Sequence, residues 1–364
     1  MLHSIASETV GFFASSVGFF WRQGVFMVSK MLALVALLFA QSAIGQKQNQ
    51  VGSNKGTDTL LFYSQMAAQQ THKRTQVREG FVAVTGGKVW YKIVGSGQAT
   101  PLLLLHGGPG FPSDYLDPLG ALSDERPVIF YDQLGCGKSD KPTDKSLWKA
   151  ERFVEELSEL RKALGLKKVH ILGHSWGTML ATDYLLTRPS GVVSLILASP
   201  ALSIKRWMSD ADKLRATLPK EVLDTLAKHE RAGTTQSEEY RTASEIYLQR
   251  YVCRLNPPPK ELIDSRAGMG SEVYETMWGP SEFYATGNLK DYDRSDRLKE
   301  IGVPTLFTCG RYDEATPEST AWYQSLVPKS KLVVFENSAH MTMLEERDRY
   351  IETIRKFLKE VELK

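Results

Sequence analysis

The sequence has few cysteines: three in 364 residues, at the widely separated positions Cys136, Cys253 and Cys309. This number excludes a disulfide framework, because at most one bond could form and one thiol would be left over. The wide spacing also excludes a cysteine-based zinc site. Cys136 and Cys309 each lie in or beside an apolar run, so we expect both to be small buried side chains.

The sequence also lacks any block of like charge. It carries 45 Lys and Arg against 42 Asp and Glu, a formal charge of +3, and no basic tract is interleaved with aromatic residues. A nucleic-acid partner is therefore not expected. No internal repeat or low-complexity tract is present. Since 42% of the residues are hydrophobic, the chain can bury a large core, and a small molecule or peptide is the expected partner.

Near the N-terminus, the apolar run from Met31 to Ala40 is shorter than a typical membrane-spanning helix. It follows the basic residue Lys30 and precedes small residues at Ala43 and Gly45, spaced like a signal-peptidase site. No cysteine follows it to accept a lipid. The pattern predicts a cleaved signal peptide within residues 1–45.

Two alternatives remain open for this segment. Met27 could be the true initiator, which would make residues 1–26 an upstream extension. Residues 9–41 could instead form an uncleaved anchor. A cleaved signal predicts a secreted or periplasmic protein with no stable membrane partner, whereas an anchor predicts a protein held at the membrane by its N-terminus.

The pattern of the remaining chain predicts an α/β fold. Residues 46–78 are polar and mostly aperiodic, which indicates an N-terminal arm. Residues 79–97 alternate apolar and polar side chains around a Gly-Gly pair, as β-hairpins do. Short continuous apolar runs follow, typical of strands buried on both faces of a parallel sheet. They occupy residues 101–110, 127–135, 168–175, 192–199, 303–310 and 331–340.

Amphipathic segments such as 150–165 and 176–188 lie between these runs. The alternation predicts a mainly parallel sheet with helices on both faces. From residue 201 to 300 the apolar runs stop and helical patterns replace them. We therefore expect a helical cap at 201–300, inserted after the sixth-strand region into a core formed by residues 79–200 and 301–364.

The pentapeptide G-H-S-W-G places Ser175 between an apolar strand and an amphipathic segment. Gly173 and Gly177 allow a sharp strand-to-helix turn that would hold the serine hydroxyl exposed. A serine hydroxyl is a poor nucleophile at neutral pH, so it needs a histidine base and a carboxylate that orients the histidine. Ser175 is thus a candidate nucleophile.

Candidate partners for Ser175 follow two late strands. Asp313 comes after "PTLFTCG", and His340, alone among the seven histidines, ends a late strand. Because the carboxyl ends of parallel strands meet at one sheet edge, the three side chains are expected to form a Ser-His-Asp triad. Such a triad requires neither a metal nor an organic cofactor, and we expect none.

The sequence "HGGPG" at 106–110 follows the first buried strand and leaves backbone N–H groups unhindered by side chains. Gly108 N–H and Trp176 N–H are the expected oxyanion donors. Gly107 of the same loop is expected to line the substrate site.

Several motifs together resemble the proline iminopeptidase (prolyl aminopeptidase) family of α/β-hydrolase serine peptidases. The resemblance covers the chain from about residue 79 to its C-terminus. The motifs are "HGGPG", "YDQLGCGKS", "GHSWGTMLA", "MWGPSEF", "GRYDEATP" and "AHMTMLEER". It implies the α/β-hydrolase fold and the release of an N-terminal residue, preferentially proline, from peptides or amino-acid amides with a free N-terminus.

The resemblance further implies that Glu282 and Glu314 bind the substrate's α-amino group, which is chemically sensible because a buried ammonium needs an ionised partner. Tyr274, with Trp278 and Phe283, is expected to wall the pocket. The alternatives are an amino-acid amidase, a carboxylic-ester or lactone hydrolase on the same scaffold, and a non-catalytic binding protein.

Overall fold

The computed structural model describes residues 76–363. The expected signal peptide, its upstream extension, the alternative anchor and the arm as far as residue 75 lie outside the described residues. None of the helices within residues 76–363 combines the length and the apolar character of a membrane span.

Eight strands form one sheet with the order β1-β2-β4-β3-β5-β6-β7-β8. Strand β2 runs antiparallel to both neighbours, and all other neighbouring pairs are parallel. The strands are β1 (Val77–Val84), β2 (Gly87–Val94), β3 (Leu102–Leu105), β4 (Val128–Tyr131), β5 (Val169–His174), β6 (Val192–Ala198), β7 (Thr305–Gly310) and β8 (Ser330–Phe335). The predicted hairpin and six buried runs are all strands, and β1 begins two residues before the expected start of the core.

Ten α-helices accompany the sheet within residues 76–363. They are α1 (Ala150–Ala163), α2 (Trp176–Leu186), α3 (Ile204–Arg215), α4 (Lys220–Ala232), α5 (Glu238–Tyr251), α6 (Lys260–Ala267), α7 (Ser271–Met277), α8 (Pro317–Leu326), α9 (Thr342–Glu345) and α10 (Arg347–Glu362). Short 3-10 helices occupy Ser113–Asp124, Lys145–Leu147 and Ser295–Glu300. Helices α3 to α7 lie between β6 and β7, as the pattern of residues 201–300 predicts.

The sheet is covered by helices on both faces, which explains the continuous apolar runs. In β3, Leu103 and Leu105 pack in a core with side chains of α1 and α2. The alternate residues Leu102 and Leu104 pack in a second core with side chains of α10 and the Ser113–Asp124 helix. Because successive side chains of a strand point to opposite faces, a strand covered on both sides must be apolar throughout. The predicted fold class is confirmed.

The helices inserted between β6 and β7 have an apolar cluster of their own. Side chains of α3, α4 and α5 pack there around Tyr247 and Phe283, both fully buried. This packing fixes one face of α5 over the carboxyl edge of the sheet. The three cysteines are free and buried, as expected for Cys136 and Cys309.

Candidate active site

Ser175 lies in a strained turn between β5 and α2. Its φ is 55°, in the left-handed region that side-chain-bearing residues rarely adopt. The turn requires glycine on both sides: a Cβ on Gly173 would lie 2.2 Å from the carbonyl oxygen of Gly177, and one on Gly177 would lie 2.1 Å from that of Leu105. The two glycines therefore allow β5, α2 and the neighbouring strand to approach closely enough to present the serine hydroxyl.

Replacing Gly177 with Ala is expected to lower the free energy of unfolding by about 3 kcal/mol or more, because the new methyl group meets backbone and cannot be relieved by a side-chain rotation. The matched control is Gly302→Ala, since a Cβ there has no heavy atom within 4 Å. Denaturant unfolding should show a large decrease in the free energy of unfolding for Gly177→Ala and a change below about 0.5 kcal/mol for Gly302→Ala. Equal stability of the two variants would contradict this description of the turn.

Asp313 and His340 lie at the ends of β7 and β8 and contact each other directly. Nδ1 of His340 donates to Oδ1 of Asp313 at 2.7 Å. The same carboxylate oxygen accepts from the Ala315 N–H at 2.8 Å, and Oδ2 accepts from the Gly310 N–H at 3.3 Å. These donors hold the carboxylate in one orientation, which leaves Nε2 of His340 as the nitrogen available to a nucleophile.

Ser199, the residue after β6, was not predicted as part of this site. It is fully buried, has a φ of 51° and donates from Oγ to Oδ2 of Asp313 at 2.7 Å. Its Oγ also lies 3.2 Å from the carbonyl oxygen of His340. Ser199 thus contacts both the carboxylate and the backbone of the base. Its position directly after a buried strand, at the same sheet edge as Ser175, was the available sequence signal.

Ser199→Ala is expected to lower kcat by about tenfold with little change in KM, because a charge-assisted hydrogen bond of about 1.5–3 kcal/mol no longer orients Asp313. The matched control is Ser203→Ala. Ser203 is also buried and donates to a carboxylate at 2.7 Å, but that carboxylate belongs to Asp293. Steady-state kinetics of both variants should show the fall in kcat only for Ser199→Ala. A similar kcat in the two would contradict the role of Ser199.

A pocket of about 390 Å³ opens at this edge of the sheet. Its walls bring together most of the predicted residues: Gly107, Gly108, Ser175, Tyr274, Glu282 and His340. Asp313 and Glu314 are buried behind His340, and the Trp176 side chain is buried beneath the turn. The pocket therefore offers both Ser175 and His340 to a bound molecule.

The glycine-rich loop after β3 lies against the serine. A Cβ on Gly107 would be 3.0 Å from the Cβ of Ser175, so a side chain there would crowd the nucleophile. Gly108 has a φ of 108°, and a Cβ there would lie 2.6 Å from the Phe111 nitrogen. Trp176 is the first residue of α2, and the first N–H groups of a helix have no intrahelical acceptor. Trp176 follows Ser175 directly and Gly108 lines the same pocket, so the two N–H groups stay the predicted oxyanion donors.

A buried hydrogen-bond chain joins the glycine-rich loop to the backbone of the base. Gly107 N–H donates to the Tyr115 hydroxyl at 2.8 Å, which lies 2.9 Å from Nδ1 of His174. Nε2 of His174 lies 3.0 Å from the carbonyl oxygen of His340. Since a carbonyl only accepts, Nε2 carries the proton and Nδ1 accepts from Tyr115. Burial, together with the neighbouring His340, holds the pKa of His174 well below its usual range, so the ring stays neutral.

Gln133 connects the loop to the serine turn from the other side. Its Oε1 accepts from the Trp176 indole at 2.8 Å, and its Nε2 donates to the carbonyl oxygen of His106 at 3.0 Å. Its backbone N–H donates to Nε2 of His106 at 2.8 Å. Gln133 belongs to "YDQLGCGKS", so the role of that motif is to hold the glycine-rich loop and the serine turn in register. Neither partner of Gln133 could be assigned from the sequence.

The two predicted amine-binding glutamates lie at or beside the pocket. Glu282, in the loop after α7, lines the pocket. Glu314 is almost fully buried, and its Oε1 lies 4.0 Å from Nε2 of His340. Within the described part of the chain, neither carboxyl oxygen of Glu314 makes a hydrogen bond of ordinary geometry, although the Tyr247 hydroxyl is close enough to lower the pKa of this carboxyl group slightly. A buried carboxyl group with so little compensation is costly, and a bound cation would relieve that cost.

The electrostatics of the two carboxyl groups agree with that inference. Burial raises the pKa of Glu282, while His340 and a hydrogen bond from Tyr274 partly lower it. Burial, then the charges of Glu282 and Asp313, raise the pKa of Glu314 well above its usual range. A bound ammonium group would offset both effects and favour the ionised forms.

Glu314→Gln is expected to stabilise the free protein at neutral pH by about 1–2 kcal/mol, because it removes an unpaired buried acid. A carboxyl group whose pKa is raised by folding does not affect the free energy of unfolding at pH values below its unfolded pKa. As pH rises from there toward its folded pKa, the group lowers the free energy of unfolding progressively. The melting temperature should therefore exceed that of wild type by a few degrees at pH 8 and match it near pH 4.

The control for this measurement is Glu155→Gln, because Glu155 is exposed on α1. Its melting temperature should follow wild type at both pH values. A Glu314→Gln protein that is less stable than wild type at pH 8 would show that the Glu314 carboxylate is already compensated in the free protein.

One predicted wall residue lies elsewhere. Tyr274 and Phe283 line the pocket, but Trp278 does not. The Trp278 indole donates to the carbonyl oxygen of Ser281 at 3.1 Å, and its ring packs edge-on against Trp207 with centroids 5.4 Å apart. Including Trp278 in the pocket wall was wrong, because its indole turns back onto its own loop and supports the wall from behind.

No group of three or more His, Cys, Asp or Glu side chains within residues 76–363 is arranged to hold a metal ion. The chemistry available at the site is that of Ser175, His340 and Asp313 with adjacent backbone donors and two carboxyl groups. This set can perform acyl transfer on a substrate that carries a cation next to its reacting carbonyl.

Comparisons with known proteins agree with this chemistry. Residues 100–347 match the α/β hydrolase fold family. A proline iminopeptidase from Heyndrickxia coagulans is 51% identical over 285 residues, which cover 78% of this chain and 99% of the relative. The crystal structure of VinJ is 38% identical with a TM-score of 0.76, covering 78% of this chain and 99% of VinJ. The crystal structure of proline iminopeptidase from Mycobacterium smegmatis is 35% identical with a TM-score of 0.73, and the match covers 79% of this chain and 99% of that protein.

The similarity to these relatives spans almost their entire length. The chain belongs to the proline iminopeptidase family of α/β hydrolases.

Proposed function

We propose that this protein is a serine exopeptidase that releases an N-terminal residue, preferentially proline, from peptides or amino-acid amides. The observation that carries the proposal is a pair of carboxyl groups at the pocket, neither of which is paired with a Lys or Arg side chain of the described residues. Glu282 lines the pocket, and the buried Glu314 lies with Oε1 4.0 Å from Nε2 of His340. A general esterase would lose stability by burying these acids and would gain nothing in substrate binding. A peptidase that requires a free α-ammonium group would use them to bind that group.

In the proposed mechanism the substrate's terminal ammonium group binds between Glu282 and Glu314. This places the first peptide carbonyl near Ser175, since the α-amino group and the carbonyl carbon are separated by one atom. The Tyr274 and Phe283 side chains on the pocket wall supply an apolar surface for a pyrrolidine ring. An N-terminally blocked peptide would leave both carboxyl groups unpaired and would bind poorly.

The acyl transfer then proceeds through the proposed Ser-His-Asp triad. Nε2 of His340 takes the proton of the Ser175 hydroxyl as Oγ attacks the carbonyl carbon, while Asp313 stabilises the imidazolium through Nδ1–H. The Gly108 and Trp176 N–H groups stabilise the oxyanion. His340 returns the proton to the leaving amine, and an ester joins Ser175 to the released residue. Water, deprotonated by His340, cleaves that ester and restores the serine.

The proposal is tested by a panel of substrates for wild-type enzyme. Proline arylamide, alanine arylamide, leucine arylamide and a simple phenyl ester without an amine are compared by kcat/KM. We expect kcat/KM for proline arylamide to exceed that for the other arylamides by about tenfold, and to exceed that for the ester by a larger factor. An ester or lactone that is hydrolysed with a higher kcat/KM than proline arylamide would instead favour the esterase alternative.

We further propose that the mature protein is exported, by cleavage of the segment within residues 1–45. The support is the basic residue, apolar run and small residues noted above. N-terminal sequencing of protein recovered from the medium or periplasm is expected to give Gln46 as the first residue. A first residue upstream of the apolar run would contradict cleavage.

A further inference from the structure

The mouth of the active-site pocket carries charges that the proposed reaction does not use. Four exposed charged side chains lie among the residues that line the pocket, all of them on helices α5 to α7. They are Arg241, Glu245, Arg266 and Glu275. The buried lining residues Ser175 and His340 mark the opposite, inner end of the pocket. The mouth is therefore where the remainder of a peptide would lie once its N-terminus reached Glu282.

Three of the four charges already have partners. Arg266 pairs with Glu245 at 3.6 Å, and the Glu275 carboxylate accepts from the Gln236 amide at 2.9 Å. The Arg241 side chain has no hydrogen bond or ion pair with any residue between 76 and 363. It also lies in the first turn of α5, where the helix dipole disfavours a positive charge. Arg241 thus lines the substrate pocket without a directly paired carboxylate, although Glu238 and Glu239 lie in the same helical turn.

We propose that Arg241, together with Arg266 on the wall of the same pocket, forms a subsite for the C-terminal carboxylate of a short peptide. The inference rests on the proposed exopeptidase function. A short peptide is a zwitterion, with its ammonium group at one end and its carboxylate at the other. The pocket has the complementary order, with two carboxyl groups at its inner end and an unpaired guanidinium at its mouth. A guanidinium fork matches a carboxylate geometrically.

A second cavity extends the same path. It has a volume of about 210 Å³ and shares Glu245, Leu262 and Arg266 with the active-site pocket. Because Arg266 lines both cavities, it stands where they meet. Peptide length sets where the carboxylate falls, since each added residue extends the chain by at most about 3.5 Å. We therefore expect short peptides with a free carboxylate to be cleaved in preference to amidated ones.

The test measures kcat/KM for Pro-Gly and Pro-Gly-Gly, each as the free acid and as the C-terminal amide. For the wild-type enzyme we expect kcat/KM for the free acid to exceed kcat/KM for the amide by about 5- to 10-fold with at least one of the two peptides. This acid-to-amide ratio should fall at high salt. Arg241→Gln should bring that ratio close to one while hydrolysis of proline arylamide stays within about twofold. Arg241→Glu should bring the ratio below one.

The matched control is Arg250→Gln. Arg250 is exposed on the same helix, but it donates to the Thr217 carbonyl oxygen and does not line the pocket. Its acid-to-amide ratio should equal that of wild type. The subsite is refuted if Arg241→Gln changes acid and amide substrates by the same factor, or if it changes neither. If wild type cleaves neither form of either peptide, the exopeptidase proposal itself fails, which is a separate outcome.

Discussion

Replacing Ser175 with Ala is expected to lower kcat for proline arylamide by about 10⁴- to 10⁶-fold. The covalent route is then closed, and what remains is the contribution of binding and the oxyanion donors. The fold should be unaffected, because the left-handed φ of 55° is equally strained for alanine and serine. Steady-state kinetics and thermal unfolding of the same preparation separate the two properties.

Two further measurements sharpen this result. Ser158→Ala is the control, since Ser158 is exposed on α1 and donates only to the Val154 carbonyl oxygen. It should retain wild-type kinetics. A serine-directed phosphonate should label wild type and the Ser158 variant but not Ser175→Ala. Residual activity above about 1% in Ser175→Ala, or labelling of that variant, would contradict the assignment of the nucleophile.

Replacing either Glu282 or Glu314 with Gln is expected to lower kcat/KM for proline arylamide by about 10²- to 10³-fold. Removing one partner of a buried ion pair costs about 3–5 kcal/mol, and each 1.4 kcal/mol corresponds to a factor of ten. The loss should be specific for substrates with an amine. Hydrolysis of a small phenyl ester, which has no ammonium group, should change by less than about threefold.

Glu275→Gln is the control for this pair, because Glu275 lies at the exposed mouth of the same pocket. Its kcat/KM for proline arylamide should stay within about twofold of wild type. If Glu282→Gln and Glu314→Gln reduced ester and arylamide hydrolysis equally, the carboxyl groups would serve the triad rather than the amine.

The raised pKa values of the two glutamates add a pH dependence. An ammonium ligand requires them ionised, so its affinity should fall as pH falls, beginning above the usual titration range of a glutamate. The inhibition constant of pyrrolidine, measured from pH 8 down to pH 5, checks this. In Glu282→Gln the fall should begin at lower pH, because the charge of Glu282 is one cause of the raised pKa of Glu314. An inhibition constant that does not change with pH would contradict the binding of the ammonium group by these two glutamates.

The sheet and the triad could be predicted from the sequence because both follow from strand ends. A strand covered on both faces is recognisable as an apolar run, and the polar residue after it must lie at the carboxyl edge. Ser175, Asp313 and His340 each satisfy that rule: Ser175 and His340 line one pocket, and Asp313 is hydrogen-bonded to His340. The predicted limits of strands and helices differ from the observed ones by a few residues, as at Val77, because local pattern marks element ends poorly.

The supporting contacts could not be predicted, because they depend on how distant segments approach. The chain from Gly107 through Tyr115 and His174 joins three segments, and nothing local to any of them indicates the other two. The error at Trp278 has the same origin, since helical spacing does not say which way an indole turns after the helix ends. The amine-binding role of Glu314 came from family resemblance. The structure adds its burial and its closeness to His340.

The central claim is that a free α-amino group is what selects the substrate. The most direct measurement is the ratio of kcat/KM for proline arylamide to that for N-acetylproline arylamide with wild-type enzyme. We predict a ratio of about 10³ or more, because the acetylated substrate removes the cation that Glu282 and Glu314 require. A ratio near one would show that the two carboxyl groups do not recognise the amine, and that the protein is a general amidase or esterase.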